Sequence, residues 1–156
     1  MTMKLELTRR QALLAGVGAV AVASGLGAGA RPAVAATEDA NALIMEFTGG
    51  AEPAMGRVTL DVPEIAENGN TVPMDVFVES PMTDEDHVTD VLIVADGNPR
   101  AGVATFHFSP MSGVAQANTR IRLAGTQNVI AVAKMSDGSV FMDRKEVKVT
   151  IGGCGG

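Results

Sequence analysis

Asn128-Val129-Ile130-Ala131-Val132-Ala133-Lys134, then Met135-Ser136-Asp137-Gly138-Ser139, then Val140 through Ile151 decide the fold. Two runs rich in Val and Ile flank an Asp-Gly pair, which supplies the backbone that a tight reversal between twisted strands requires. The stretch reads as a β-hairpin. The same period of two continues upstream. In Ala117 to Leu123, Thr119, Ile121 and Leu123 alternate with Arg120 and Arg122. Val103 to Phe108 is a shorter run, with His107 on the face opposite its phenylalanines. Thr89 to Ala95 is almost continuously apolar and is stopped by Asp96-Gly97-Asn98-Pro99. In Thr71 to Glu79, Val72, Met74, Val76 and Val78 alternate with Pro73, Asp75, Phe77 and Glu79. Pro73 cannot donate to a ladder, so it marks an edge or a bulge. Arg57 to Val62 completes seven strands, with Val58, Leu60 and Val62 on one face. The expected class is all-β, an immunoglobulin-like antiparallel β-sandwich.

One helix is expected before the strands, over residues 37 to 48. Ala40, Leu43, Ile44 and Phe47 fall at helical spacing, Glu38 and Asp39 sit in the first turn, and Gly49-Gly50 ends it. Five Phe, no Trp and no Tyr leave the core to aliphatic side chains and Met. They also leave no aromatic strip on which a nucleic acid could stack.

The first 35 residues read as a cleaved export signal. Arg9 and Arg10 stand ahead of an uncharged run from Ala12 to Ala30, and Ala33-Val34-Ala35 gives the small-residue ending. Paired arginines and a run rich in Gly and Ala point to the twin-arginine route and a periplasmic location. A membrane anchor is the alternative reading. The 19 uncharged residues approach the ~20 that span a bilayer, but so much Gly and Ala makes a weak span. Losing Lys4, Arg9, Arg10, Arg31 and Glu6 would leave 8 basic against 17 acidic side chains, a net of −9 over 121 residues. Such a charge argues against nucleic acid and anionic membrane surfaces.

The chain ends Gly152-Gly153-Cys154-Gly155-Gly156, which holds its only cysteine. No internal disulfide is possible, so this thiol is either paired between molecules or kept for chemistry. Four glycines remove every neighbouring side chain and free the backbone. Residues 152–156 therefore read as a flexible arm on a domain spanning 36–151. A free thiol titrates near ~8.5, and no His, Lys or Arg lies within five residues to lower that value. A catalytic nucleophile needs a base and an orienting group held beside it. The cysteine therefore reads as a carrier's handle, and the chain as no enzyme. His87, His107 and several Met suggest a copper centre, but only two glycines follow Cys154, where a blue-copper loop would place further ligands. Asp84, Glu85 and Asp86 lack the spacing of a calcium loop. No metal and no cofactor are expected.

Several segments together carry a family resemblance. They are Pro63-Glu64-Ile65-Ala66-Glu67-Asn68-Gly69-Asn70-Thr71-Val72-Pro73, Ala95-Asp96-Gly97-Asn98-Pro99, Phe106-His107-Phe108 and Thr119-Arg120-Ile121-Arg122-Leu123. Met135-Ser136-Asp137-Gly138-Ser139, Glu146 to Ile151 and the Gly-Gly-Cys-Gly-Gly end complete the set. The chain resembles the Y-subunit family of the thiosulfate-oxidation (Sox) sulfur-carrier complex, over nearly all of its mature length. That resemblance implies a heterodimer with a SoxZ-type β-sandwich subunit. It implies thiosulfate joined oxidatively to Cys154 by a c-type cytochrome complex, and sulfate released by a dimanganese hydrolase to leave a persulfide. In some organisms a sulfane dehydrogenase then acts on the remaining sulfur. The metals and haem belong to those enzymes. Cys154 is the implied attachment point, and Gly152, Gly153, Gly155 and Gly156 the implied tether. Two other readings remain open on the residues: a ubiquitin-like C-terminal thiocarboxylate donor, and a structural module dimerised through a Cys154 disulfide. A metal-binding electron carrier is a third and weaker alternative.

Overall fold

A computed structural model describes residues 32–153 of the chain, with side chains from residue 37 onward. Its elements are helix α1 (Pro32–Thr48) and strands β1 (Ala54–Met55), β2 (Val58–Asp61), β3 (Ile65–Asn68), β4 (Val72–Val78), β5 (Val88–Ala95) and β6 (Gly102–His107). A short 3-10 turn (Pro110–Ser112) follows, then β7 (Ala115–Ile121), β8 (Gln127–Met135) and β9 (Val140–Ile151). The larger sheet runs β1-β9-β8-β5-β6, with β3 also pairing β9, and the smaller runs β2-β4-β7.

The hairpin forms where the Asp-Gly pair places it. Gly138 has φ of 84°, its amide donates to the carbonyl of Met135 at 3.0 Å, and the amide of Met135 donates to Ser139 at 2.9 Å. Asp137 Oδ1 accepts from the Ser139 amide at 2.8 Å and from its hydroxyl at 2.6 Å. Those two bonds favour the carboxylate and lower the pKa of Asp137 from its ordinary 3.8.

Alternation then sorts the strands into layers. Val72, Met74, Val76 and Val78 of β4 pack inward against Val91, Ile93 and Ala95 of β5 and Val129, Ala131 and Ala133 of β8. Leu60, Met74, Ile93, Leu123 and Met135 are the largest fully buried side chains. The interior is aliphatic, as the composition requires, and each such side chain contributes roughly 1.5–3 kcal/mol on burial. The intervening residues Leu92, Val94, Ile130 and Val132 pack on the opposite face, against Ala40, Leu43, Ile44 and Phe47 of α1. β5 and β8 are thus covered on both faces, which explains their near-continuous apolar runs.

Three expectations are corrected. Among the described residues nine strands form rather than seven, because β1 and β3 carry no apolar period. Both pair in parallel with β9, Ala54 opposite Phe141 and Ile65 opposite Lys148. The sandwich is therefore not purely antiparallel. The helix begins at Pro32 rather than at residue 37, so Glu38 and Asp39 lie beyond its first turn. Proline suits that start, since its missing N–H would have no partner there. The expected stop holds: the Gly50 amide donates to Met45 at 2.9 Å and that of Gly49 to Glu46 at 3.3 Å, the pairing of a Schellman end. Pro73 lies where β4 extends beyond β2, whose pairing starts at Asp75, so one flank of it is open as a local edge.

Candidate functional site

The last strand delivers the glycine tail. β9 is held at its end by β3, with Ala66 opposite Val149 and Asn68 opposite Ile151. The Val149 amide also donates to Thr126 Oγ1 at 3.0 Å. Pairing does not stop with the strand. The Gly69 amide donates to the carbonyl of Ile151 at 2.7 Å, the Leu123 amide to Gly69 at 2.8 Å, and the Gly153 amide to Leu123 at 2.9 Å. Three backbone segments, 69–70, 123–124 and 151–153, are laced into one clasp.

Glycine is what the clasp demands. A Cβ at Gly152 would overlap the carbonyl oxygen of Ala124, and one at Gly153 would overlap the backbone of Gly69 and Asn70. A Cβ at Gly69 would overlap the Leu123 carbonyl and lie 2.9 Å from the Gly153 nitrogen. These glycines are needed for close approach of backbones, an office separate from conformational freedom.

A polar cluster holds the middle segment. Asn98, buried at the end of β5, donates from Nδ2 to the carbonyl of Arg122 at 2.8 Å. Its Oδ1 accepts from the Ala124 amide and from Gln127 Nε2, both at 2.9 Å. Gln127 Oε1 accepts from the Gly97 amide at 2.7 Å. Beside it, Asp96 accepts from the amide of Asn128 at 2.9 Å and from its Nδ2 at 2.8 Å, and pairs with Arg144 at 3.2 Å. Every partner is satisfied, so the loop after β7 is fixed from below. Asp96-Gly97-Asn98 reads in the sequence as a strand terminator; in the structure it is also the support of the clasp.

Of the sequence-derived site residues, Gly152 and Gly153 are therefore placed against the sandwich. Cys154, Gly155 and Gly156 lie outside the described residues, as do Arg9 and Arg10 of the expected signal. Gly69, Asn98, Leu123 and Ala124 join the site, to which no pattern in the sequence assigns them. Neither histidine approaches the tail through its bonds: His107 Nδ1 meets Asp90 Oδ1 at 2.5 Å, and His87 Nδ1 meets the Thr83 carbonyl at 2.9 Å. Among the described residues no group of three or more His, Cys, Asp or Glu could hold a metal ion. No described helix is long and apolar enough to cross a membrane.

Comparison with known proteins gives a family and a fold. The model of the family described as sulfur oxidation protein SoxY matches residues 44–154. Among solved structures, the sulfur carrier protein SoxY from Chlorobium limicola f thiosulfatophilum is 27% identical with a TM-score of 0.62, covering 73% of this chain and 94% of its own. A superoxide reductase (neelaredoxin) from Ignicoccus hospitalis is similar at 16% identity and a TM-score of 0.53, covering 60% of this chain and 80% of its own. A putative superoxide reductase from Thermotoga maritima stands at 19% and 0.51, covering 66% and 89%. The reductases share the fold alone. No curated protein matches the chain.

Proposed function

This chain belongs to the SoxY family of sulfur oxidation proteins, and from that premise we propose that it is a sulfur carrier whose cargo is held covalently on Cys154. The observation that carries the reading is the construction at the end of β9. The sole cysteine of the chain follows directly on Gly153, which is tied by its amide to Leu123 at 2.9 Å. A thiol next to a fixed backbone seat, with no His, Lys or Arg within five residues of it in the sequence, is suited to bearing a group that other enzymes act upon.

The chemistry balances without any cofactor in this chain. The Cys154 thiol and thiosulfate lose one proton and two electrons to form a sulfur–sulfur bond, giving the S-thiosulfonate; a c-type cytochrome complex takes the electrons. Water then cleaves the terminal sulfur–sulfur bond on a dimanganese hydrolase. Sulfate leaves and the persulfide remains on Cys154. Where a sulfane dehydrogenase is present, it oxidises that sulfur further. A SoxZ-type subunit is the proposed permanent partner, and the Arg9-Arg10 signal delivers the chain to the periplasm by the twin-arginine route.

Intact-mass measurement on protein from thiosulfate-grown cells tests the reading. Adducts of sulfur or thiosulfonate should appear, disappear with reductant, and be missing in Cys154→Ser. Adducts that survive that substitution would point instead to a C-terminal thiocarboxylate. A wild-type mass equal to twice the chain, with no sulfur adduct, would favour a structural disulfide.

A further inference from the structure

We propose that the cleft lined by Arg100, Arg120 and Arg122 is a binding site for a small tetrahedral oxoanion of the sulfate class. The cleft has a volume of about 520 Å³ and is bordered by Gly102 of β6 and Ile121 of β7. It lies where the edge strand of the larger sheet faces that of the smaller one. In β7, Ile121 turns into the core while Arg120 and the following Arg122 are exposed. Residues two apart on a strand share a face at roughly 7 Å. The Asn98-Pro99-Arg100 turn after β5 brings the third guanidinium to the same opening.

What distinguishes the cleft is the convergence of cations on one opening. The chain carries 18 acidic against 12 basic side chains, so a cation on its surface has many candidate carboxylates. Arg57, Arg144 and Lys145 each find one. Arg100, Arg120, Arg122, Lys134 and Lys148 find none among the described residues, and of these five the three arginines line one opening. Asp75, on the strand beside Arg120, is instead taken by Asn118 Nδ2 at 2.6 Å. Asp39 and Glu46 border the neighbouring cavity that Arg100 also lines, yet neither forms an ion pair with it. Three guanidinium groups left to repel one another at one opening gain most from a ligand with several charged oxygens. Their planar forks match such oxygens two at a time.

The cleft and the clasp share one segment. Asn98 holds the Arg122 carbonyl at 2.8 Å, and the next residue, Leu123, receives the Gly153 amide at 2.9 Å. Resting on the carrier reading, the physiological occupant is the free oxoanion, before it is joined to the carrier or after it is released.

The test uses the chain carrying Cys154→Ser, which cannot be loaded. Sodium sulfate and sodium thiosulfate are titrated separately, with sodium chloride holding ionic strength constant. Amide and arginine Nε–Hε signals are followed by NMR. Saturable shifts are expected at Arg100, Arg120, Arg122 and Gly102, and affinity should weaken about tenfold or more in Arg120→Gln and in Arg122→Gln. Lys148→Gln should leave it unchanged. Shifts that never saturate, or that are equal in the arginine variants, overturn the proposal. So does binding of a polyglutamate peptide in preference to sulfate, which would make the cleft a docking face for an acidic protein. Both side chains are exposed, and circular dichroism of each variant verifies folding; Arg100→Gln gives an independent reading. If sulfate binds here while wild-type protein shows no adduct on Cys154, the carrier reading falls and the anion site stands.

Discussion

At Gly153 two requirements meet that a sequence does not separate. Four glycines around one cysteine are visible at once, and they suggest freedom. The contacts at Gly152 and Gly153 show a fit so close that a Cβ has no room. The partners, Gly69, Leu123 and Ala124, were not legible because they contribute only backbone atoms, and backbone contacts leave no pattern in side-chain chemistry. Gly153→Ala should undock the end of the tail with a change in global stability within about 0.5 kcal/mol, as for a substitution outside the core. Hydrogen exchange at the Gly153 amide should speed up while the β8 amides stay protected. Gly69→Ala forces the same overlap inside the clasp and should cost more, roughly 1–3 kcal/mol by the cost of overpacking, read from urea unfolding. The Asp-Gly turn at the other end of β9 makes a contrasting case, since it was legible and its geometry followed. The pKa of Asp137 is lowered by its bonds to Ser139. Its stabilising contribution is therefore present above the unfolded value of about 3.8 and lost as the pH falls through the folded value. Asp137→Asn should flatten that part of the acid-unfolding curve while leaving the curve's shape at neutral pH unchanged.

Among elements, those with an apolar period were legible and those without were not. β4 and β7 alternate in and out as their sequences do. β1 has two residues, both exposed, and β3 buries only Ala66 of its four. Their places are set by main-chain pairing to β9, so no periodicity announced them. The helix face was legible, yet its docking on the outer side of β5 and β8 was not, because a periodic face names no partner. The turn after β5 shows how an element fixes a distant one. Asn98→Ala would remove the acceptor of two N–H groups and the donor to Arg122. Orphaned buried groups cost about 1–3 kcal/mol each, so a loss of roughly 2–4 kcal/mol is expected on urea unfolding. Faster exchange at the Leu123 and Gly153 amides should accompany it. Asn98→Asp keeps the acceptor and should restore part of the loss.

For the whole molecule, the two sheets and α1 form one scaffold around an aliphatic interior. The apolar faces of β5 and β8 need α1 on one side and the smaller sheet on the other. That requirement bears on the proposed removal of the signal. Cleavage after Ala35 would take the first four residues of α1, Pro32 to Ala35. The described face of α1 that packs on the sheet begins at Ala40 and continues through Leu43, Ile44 and Phe47, all of which survive cleavage. A chain starting at residue 36 keeps every described α1 residue that packs on the sheet and should therefore melt within about 2 °C of the uncleaved one, a change within about 0.5 kcal/mol. A chain starting at residue 49 should behave differently. It uncovers Leu92, Val94, Ile130 and Val132, and burying side chains of this kind contributes roughly 1.5–3 kcal/mol each. Marginal stability of about 5–15 kcal/mol would not absorb that loss without a large fall in melting temperature. Equal melting of all three chains in calorimetry would mean that α1 contributes nothing to the scaffold. An early fall, already present in the chain starting at residue 36, would mean that the first turn of the helix is structural.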